Sequence, residues 1–160
     1  MAYKDLREFI AKLEAEGRLQ RVSEPVSPIL EMTEIQTRLL AEGGPAVLFE
    51  NVIRENGDKY DQPVLVNLFG TVERVAWGME REPETLRELG EALAFMRQPE
   101  PPGGWKEAIG MLPMVKSAMA MKPKTVSSAP CQETVLEGDE IDLANLPIQT
   151  DRKSTRLNSS

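Results

Sequence analysis

Gly43-Gly44-Pro45-Ala46-Val47-Leu48-Phe49 is the stretch on which the fold turns. Two glycines and a proline stop whatever helix precedes them, and a short, dense apolar run follows. Such a run, bounded by breakers, suits a buried strand. On its N-terminal side, Leu6, Phe9, Ile10 and Leu13 recur at i, i+3, i+4 and i+7 and form one stripe of a helix. Asp5 is placed to cap that helix with Glu8 three residues on, and Gly17 to end it. Leu19 to Val22 reads as a short strand. A second helix is expected from Ser27-Pro28, a cap residue followed by proline, with Met32, Ile35 and Leu39 on its buried face.

On its C-terminal side, Val64-Leu65-Val66-Asn67-Leu68 reads as another buried strand, separated from the first by the charged, turn-like loop Arg54 to Lys59. Thr71 can cap a short helix that runs to Met79 and carries Val72, Val75 and Ala76. Pro83-Glu84 opens a longer one, with Leu86, Leu89, Leu93 and Met96 on one face. Pro99 to Gly104 is a linker. Trp105 to Met121 reads as two short helices broken at Pro113. Thr125-Val126 and Thr134-Val135-Leu136 read as strands, with a turn at Glu137-Gly138-Asp139. No internal repeat is present. The order of elements gives an α/β fold with a small mixed sheet. Its expected core is Leu6, Phe9, Leu13, Val47, Phe49, Leu65, Leu68, Leu89 and Leu93.

The chain has 160 residues, room for one ordinary domain. It carries 26 acidic and 19 basic residues, a net charge of −7, which disfavours sequence-independent nucleic-acid binding. It contains no histidine and one cysteine, Cys131. Histidine-dependent triads, an intrachain disulfide and a cysteine zinc site are therefore excluded within it. No apolar run approaches the roughly 20 residues of a membrane helix. The N-terminus lacks the apolar region of a secretory signal, so a cytoplasmic location is expected.

Each candidate for chemistry has a plainer alternative. Glu31 and Glu34 lie three apart on one helix and could share a proton or a divalent ion, or could be a solvated face. Asp139, Glu140 and Asp142 cluster after Gly138 without calcium-loop spacing, and a turn accounts for them. Cys131 has no partner that would lower its pKa. Gly43-Gly44 and Gly103-Gly104 lack the residues of a phosphate loop. Met111, Met114, Met119 and Met121 hold half of the eight methionines within eleven residues, which suits ordinary packing or a docking surface.

Several blocks together resemble the UbiD family. They are Tyr3-Lys4-Asp5-Leu6-Arg7-Glu8-Phe9, Glu31-Met32-Thr33-Glu34-Ile35, Gly43-Gly44-Pro45-Ala46 and Leu48-Phe49-Glu50-Asn51. Pro63-Val64-Leu65, Asn67-Leu68-Phe69-Gly70-Thr71 and Arg74-Val75-Ala76 continue them. Pro99-Glu100-Pro101-Pro102, Ala129-Pro130-Cys131-Gln132-Glu133 and Leu146-Pro147-Ile148-Gln149-Thr150 complete the series. The likeness is greatest to the polyprenyl-4-hydroxybenzoate decarboxylases of ubiquinone biosynthesis.

That resemblance implies an N-terminal α/β domain over 1–122 and the start of a split-barrel domain, which binds prenylated FMN, over 123–150. It implies a lyase that removes carboxylate from an aromatic or unsaturated acid, with the flavin as electron sink. Mn2+ and K+ are its expected ions and a homo-oligomer its expected full-length state. A prenylated substrate implies peripheral contact with a membrane, and no nucleic-acid partner is implied. The family's Arg and two Glu residues lie downstream of the matched segment. Glu31, Glu34, Glu50 and Glu133 match family positions, but not the catalytic ones. The expected catalytic, cofactor-binding and metal residues within this chain are therefore none, and the fragment alone is expected to be inactive. The alternative is a non-enzymatic α/β module that docks on a full-length relative.

Residues 151–160 depart from the family pattern. Asp151 to Ser160 is polar and resembles an in-frame reading of a common sequencing adapter, GAT CGG AAG AGC ACA CGT CTG AAC TCC AGT. The expectation is a truncated gene joined to it, with a structureless tail; a genuine short paralogue is the alternative.

Overall fold

A computed structural model describes residues 3–97, 104–105, 109–112, 116, 123, 125–129 and 132–151. The chain divides into two units. One is Met1–Pro83 with Asp142–Ser160, and the other is Glu84–Ile141.

The first unit is built around a three-stranded mixed sheet. Helix α1 (Leu6–Ala15) leads to β1 (Leu19–Val22), α2 (Glu31–Ala41), β2 (Ala46–Phe49), β3 (Val64–Val66) and α3 (Val72–Gly78). The strand order is β1-β2-β3, so β2 is central. It pairs in parallel with β1, Leu19 opposite Ala46 and Val22 opposite Phe49. It pairs antiparallel with β3, Val47 opposite Val66 and Phe49 opposite Val64. Parallel pairing needs a crossover, and α2 supplies it.

All four β2 residues are buried. Successive side chains of a strand point to opposite faces, and the two sets enter two clusters. Ala46 and Leu48 pack with Phe9 and Leu13 of α1 and with Leu19. Val47 and Phe49 pack with Val26, Val52, Val66 and Met32 of α2. The sheet is thus covered by α1 on one face and α2 on the other, which is why the central strand reads as continuous apolar sequence.

Local expectations hold at several ends. The Asp5 carboxylate accepts the Arg7 and Glu8 N–H groups at 2.8 and 3.1 Å, and the Thr71 hydroxyl accepts that of Arg74. Gly17 and Gly43 take φ of 66° and 64° just past their helices.

Other expectations fail for physical reasons. Helix α2 begins at Glu31 rather than at Ser27-Pro28. Residues 26–29 are irregular instead, with a turn at Pro28, Val26 bridged to Val52 and Ile29 to Thr150. Strand β3 ends at Val66 because Asn67 turns to φ 55°. Leu6 is 53% exposed on the first turn of α1, and Val72 is 64% exposed. Leu65 and Leu68 are half-buried beside the first cluster, since β3 is an edge strand.

The second unit contains α4 (Leu86–Arg97), entered through a short 3-10 turn at Pro83–Thr85. Leu89 is half-buried and Leu93 is 49% exposed, so neither joins the core. Among the described residues of this unit no large apolar side chain is buried; the amphipathic period of α4 is real but finds no described partner. The described residues from Trp105 to Lys116 are helical. Pro113, Met114, Met119, Met121, Cys131 and 152–160 lie outside the described residues. Thr125-Val126 and Thr134-Val135-Leu136 are irregular rather than strands, so the expected first strands of a split barrel are not among the described elements. Short 3-10 turns at Gly138–Glu140 and Leu143–Asn145 follow.

Candidate functional site

The acidic residues singled out by sequence do not converge. Ser27 donates its N–H to the Glu31 carboxylate at 2.8 Å. Glu34 is paired with Arg38 one turn on, at 2.9 Å. Spacing of three along a helix therefore does not make them a proton-sharing or metal-binding pair. Glu50 lies on the opposite flank of Arg21 from Glu14. Arg21 donates Nη1 to Glu50 at 2.8 Å, and Nε and Nη2 to Glu14. Glu140 accepts the Glu137 N–H, and Asp142 accepts that of Ala144. Asp139 and Glu133 are exposed. Among the described residues no group of three or more His, Cys, Asp or Glu side chains could hold a metal ion.

The Arg21 fork has a pH consequence. Its hydrogen bond holds the Glu14 carboxyl below the usual carboxylate value. A depressed folded pKa means that the tie is complete above the unfolded value of about 4.5 and is lost as pH falls through the lower folded value. In a carboxyl NMR titration Glu14 should titrate below the usual carboxylate value, and Arg21→Gln should move its titration upward. A Glu14 titration that Arg21→Gln leaves unmoved would show that the tie does not form.

The constellation that sequence reasoning missed is buried and cationic. Arg74 is 1% exposed. It donates Nε to the Leu68 carbonyl and Nη2 to the Asn67 carbonyl, both at 3.0 Å. Burial pushes its pKa down, with Glu73 acting upward and Arg18 downward. Asn67, 7% exposed, donates Nδ2 to the Gly44 and Pro45 carbonyls at 3.1 and 2.9 Å. The end of β3 is thereby tied to the turn that precedes β2. At Gly70 an added Cβ would fall 1.8 Å from Asn67 Oδ1 and 2.9 Å from Arg74 Nη2, so only glycine leaves room for these two side chains in the turn. The available signal was an arginine on the apolar side of a helix whose neighbours Val75 and Ala76 were read as packed. The guanidinium is directed onto backbone carbonyls, and a rigid turn, not an anion site, is what the arrangement makes.

A surface concavity of about 480 Å3 lies where 142–150 returns across Ile29, Ile53 and Tyr60. Leu143, Leu146 and Ile148 line it from above. Arg54 stands at its edge, 4.1 Å from the Tyr60 ring centre, and donates to the Ala144 carbonyl at 2.7 Å. The groove is mostly apolar, and its one carboxylate, Glu55, lies among Arg54, Asn56 and Tyr60 without a second acid.

With that geometry in place, comparison with known proteins is informative. The profile of the 3-octaprenyl-4-hydroxybenzoate carboxy-lyase N-terminal domain matches residues 10–93. An evolved dimeric form of the UbiD-class enzyme HmfF from Pelotomaculum thermopropionicum, in complex with prFMN, is 31% identical with a TM-score of 0.47. The match covers 62% of this chain and 21% of that one. HmfF from the same organism in complex with FMN is 33% identical, with a TM-score of 0.46, over 60% of this chain and 20% of that one. Vanillic acid decarboxylase of Sedimentibacter hydroxybenzoicus is 32% identical with a TM-score of 0.48, over 57% of this chain and 20% of that one. The chain spans about a fifth of the length of these solved relatives.

Proposed function

Since the chain belongs to the UbiD family through its N-terminal domain, we propose that it is the N-terminal part of a prenylated-FMN-dependent, non-oxidative carboxy-lyase. The observation that carries this reading is the profile match over 10–93, which takes in the whole sheet and helices α2, α3 and most of α4. Within the family the proposed substrate is a polyprenyl-4-hydroxybenzoate, the acid type named in the matching profile. A homo-oligomeric full-length form, a cytoplasmic location and membrane contact through the prenyl chain belong to the same proposal. So does the division into an N-terminal domain over 1–122 and the start of a flavin-binding domain from 123.

The described residues do not fit the flavin or its ions. A flavin phosphate held through Mn2+ and K+ needs carboxylate and other oxygen ligands in fixed geometry. Here Glu14 and Glu50 are taken by Arg21, Glu34 by Arg38 and Glu31 by backbone. The fork of Arg74 is turned inward onto carbonyls. No catalytic step is therefore assigned to these side chains. The role supported for the described part is structural, a folded unit carried by the enzyme's remaining domains.

The 160-residue chain, given prenylated FMN, Mn2+, K+ and a prenylated hydroxybenzoate, should retain no flavin and release no carbon dioxide above background. A polypeptide that continues after Thr150 with family sequence should do both. Flavin absorbance and carbon dioxide release on the two proteins test this, and turnover by the short chain would overturn it. The alternative, an interaction module, draws on the exposed Val126, Val135, Leu136 and Ile141, between 57% and 66% accessible. Stoichiometric binding of the short chain to a full-length relative, without any gain from the continued sequence, would favour that alternative.

A further inference from the structure

We propose that residues 142–150 are a detachable latch: a segment that begins with the 3-10 turn at Leu143–Asn145 and is pinned to the first unit at its two ends, which leaves and returns without unfolding the sheet beneath it. At one end Arg54 donates Nη1 to the Ala144 carbonyl at 2.7 Å and Nη2 to Asn145 Oδ1 at 3.2 Å. The guanidinium is itself held over the Tyr60 ring, within the 53–60 hairpin closed by the Ile53–Lys59 bridge. At the other end Thr150 donates its N–H to the Pro28 carbonyl at 3.0 Å. Its own carbonyl accepts the Leu30 N–H at 3.1 Å and the Thr33 hydroxyl at 2.9 Å.

Between these pins the hold is weak. Leu143, Leu146 and Ile148 remain 65%, 47% and 58% exposed, over a groove that they line without filling. A segment with little buried apolar area and a few hydrogen bonds opens locally well before the whole fold. Neither core cluster contains a residue of 142–150, so Phe49 and Val52 stay covered when the segment leaves.

Two details show that docking is imperfectly satisfied. Thr150 Oγ1 is buried without a hydrogen-bond partner in the structure. Leu30, which donates to Thr150, sits at φ 65°, a conformation that costs a branched residue free energy. Undocking lets both relax. The latch thus gives the chain two states, one returned to the unit that it left at Pro83 and one free of it. This inference stands on contacts of the chain itself and does not require the enzymatic reading.

Amide hydrogen exchange on the full 160-residue chain tests it. Leu30 and Thr150 report the latch. Ala46 and Glu50, whose N–H groups go to the Arg18 and Val22 carbonyls at 2.9 Å, report the sheet. Leu30 and Thr150 should exchange together and faster than Ala46 and Glu50. Arg54→Ala should speed them by about tenfold, the loss of one or two ordinary hydrogen bonds, with Ala46 and Glu50 unchanged. Thr33→Val, which removes one hydroxyl, should act the same way to a smaller extent, and serves if Arg54→Ala disturbs the hairpin. The proposal is overturned if all four amides exchange at one rate in the unaltered chain. It is also overturned if neither variant changes Leu30 and Thr150 selectively.

Discussion

Arg74→Ala is expected to destabilise the first unit by about 3–5 kcal/mol. The change leaves the Asn67 and Leu68 carbonyls without their donors, at about 1–3 kcal/mol each, and opens a cavity where a large side chain was buried. Against this stands the cost of keeping a cation out of water, visible in the downward pull of burial on the Arg74 pKa. Arg74→Met, which drops the charge and keeps much of the volume, should therefore lose less than Arg74→Ala. Arg74→Lys keeps the charge but cannot reproduce two directed donors from a planar fork. Urea unfolding followed by circular dichroism measures all three, and a loss below about 1 kcal/mol for Arg74→Ala would show that the turn does not depend on it. Gly70→Ala probes the same turn sterically, because its new Cβ meets Asn67 Oδ1 at 1.8 Å. Its cost, about 1–3 kcal/mol for forced overpacking, should shrink in the Asn67→Gly background, where the clashing side chain is gone.

Phe49→Ala should cost a similar amount, about 3–5 kcal/mol, the range for emptying a buried aromatic site. Phe49 is 1% exposed and touches the cluster formed by Val26, Met32, Val47, Val52 and Val66. It lies on the central strand, so the cavity is walled by α2 and both sheet neighbours and collapses poorly. Leu93→Ala, at a site 49% exposed, should stay within about 0.5 kcal/mol of the unaltered chain. Comparable losses at the two sites would mean that the second unit contributes a core that its exposed α4 face does not show.

The contrast between Phe49 and Leu93 separates what periodicity can tell from what it cannot. Both sit in well-formed apolar patterns. The Phe49 pattern is a dense run between breakers, and a central strand covered by helices on both faces is the arrangement that buries every residue of such a run. The Leu93 pattern shows only that α4 has an apolar face, not that anything lies against it. The same distinction explains Leu6, which has helical spacing but sits on the first turn, beyond the reach of the sheet. The candidate acids behave alike. The spacing of Glu31 and Glu34 on one helix is legible, but each carboxylate is held by its own neighbour, the Ser27 N–H and Arg38, rather than by the other.

By itself the sequence determined the local elements and the family. Caps at Asp5 and Thr71, stops at Gly17 and Gly43, and the strands at Leu19–Val22 and Ala46–Phe49 are set by backbone chemistry within a few residues. Such short-range signals survive in a linear reading. Only the tertiary structure decided the parallel pairing of β1 with β2, the non-helical run before α2, the burial of Arg74 and the return of 142–150 onto Ile29. The return depends on groups far apart in sequence, 90 residues for Arg54 and Ala144 and 117 for Thr33 and Thr150, whereas the carbonyls that hold Arg74 lie only six and seven residues before it and are turned onto it by the bend at Asn67. A segment that could have been helical departs from that pattern where a distant carbonyl or N–H pairs with it, and a cation is buried where the backbone turns its carbonyls inward; neither partner is recorded in local residue spacing.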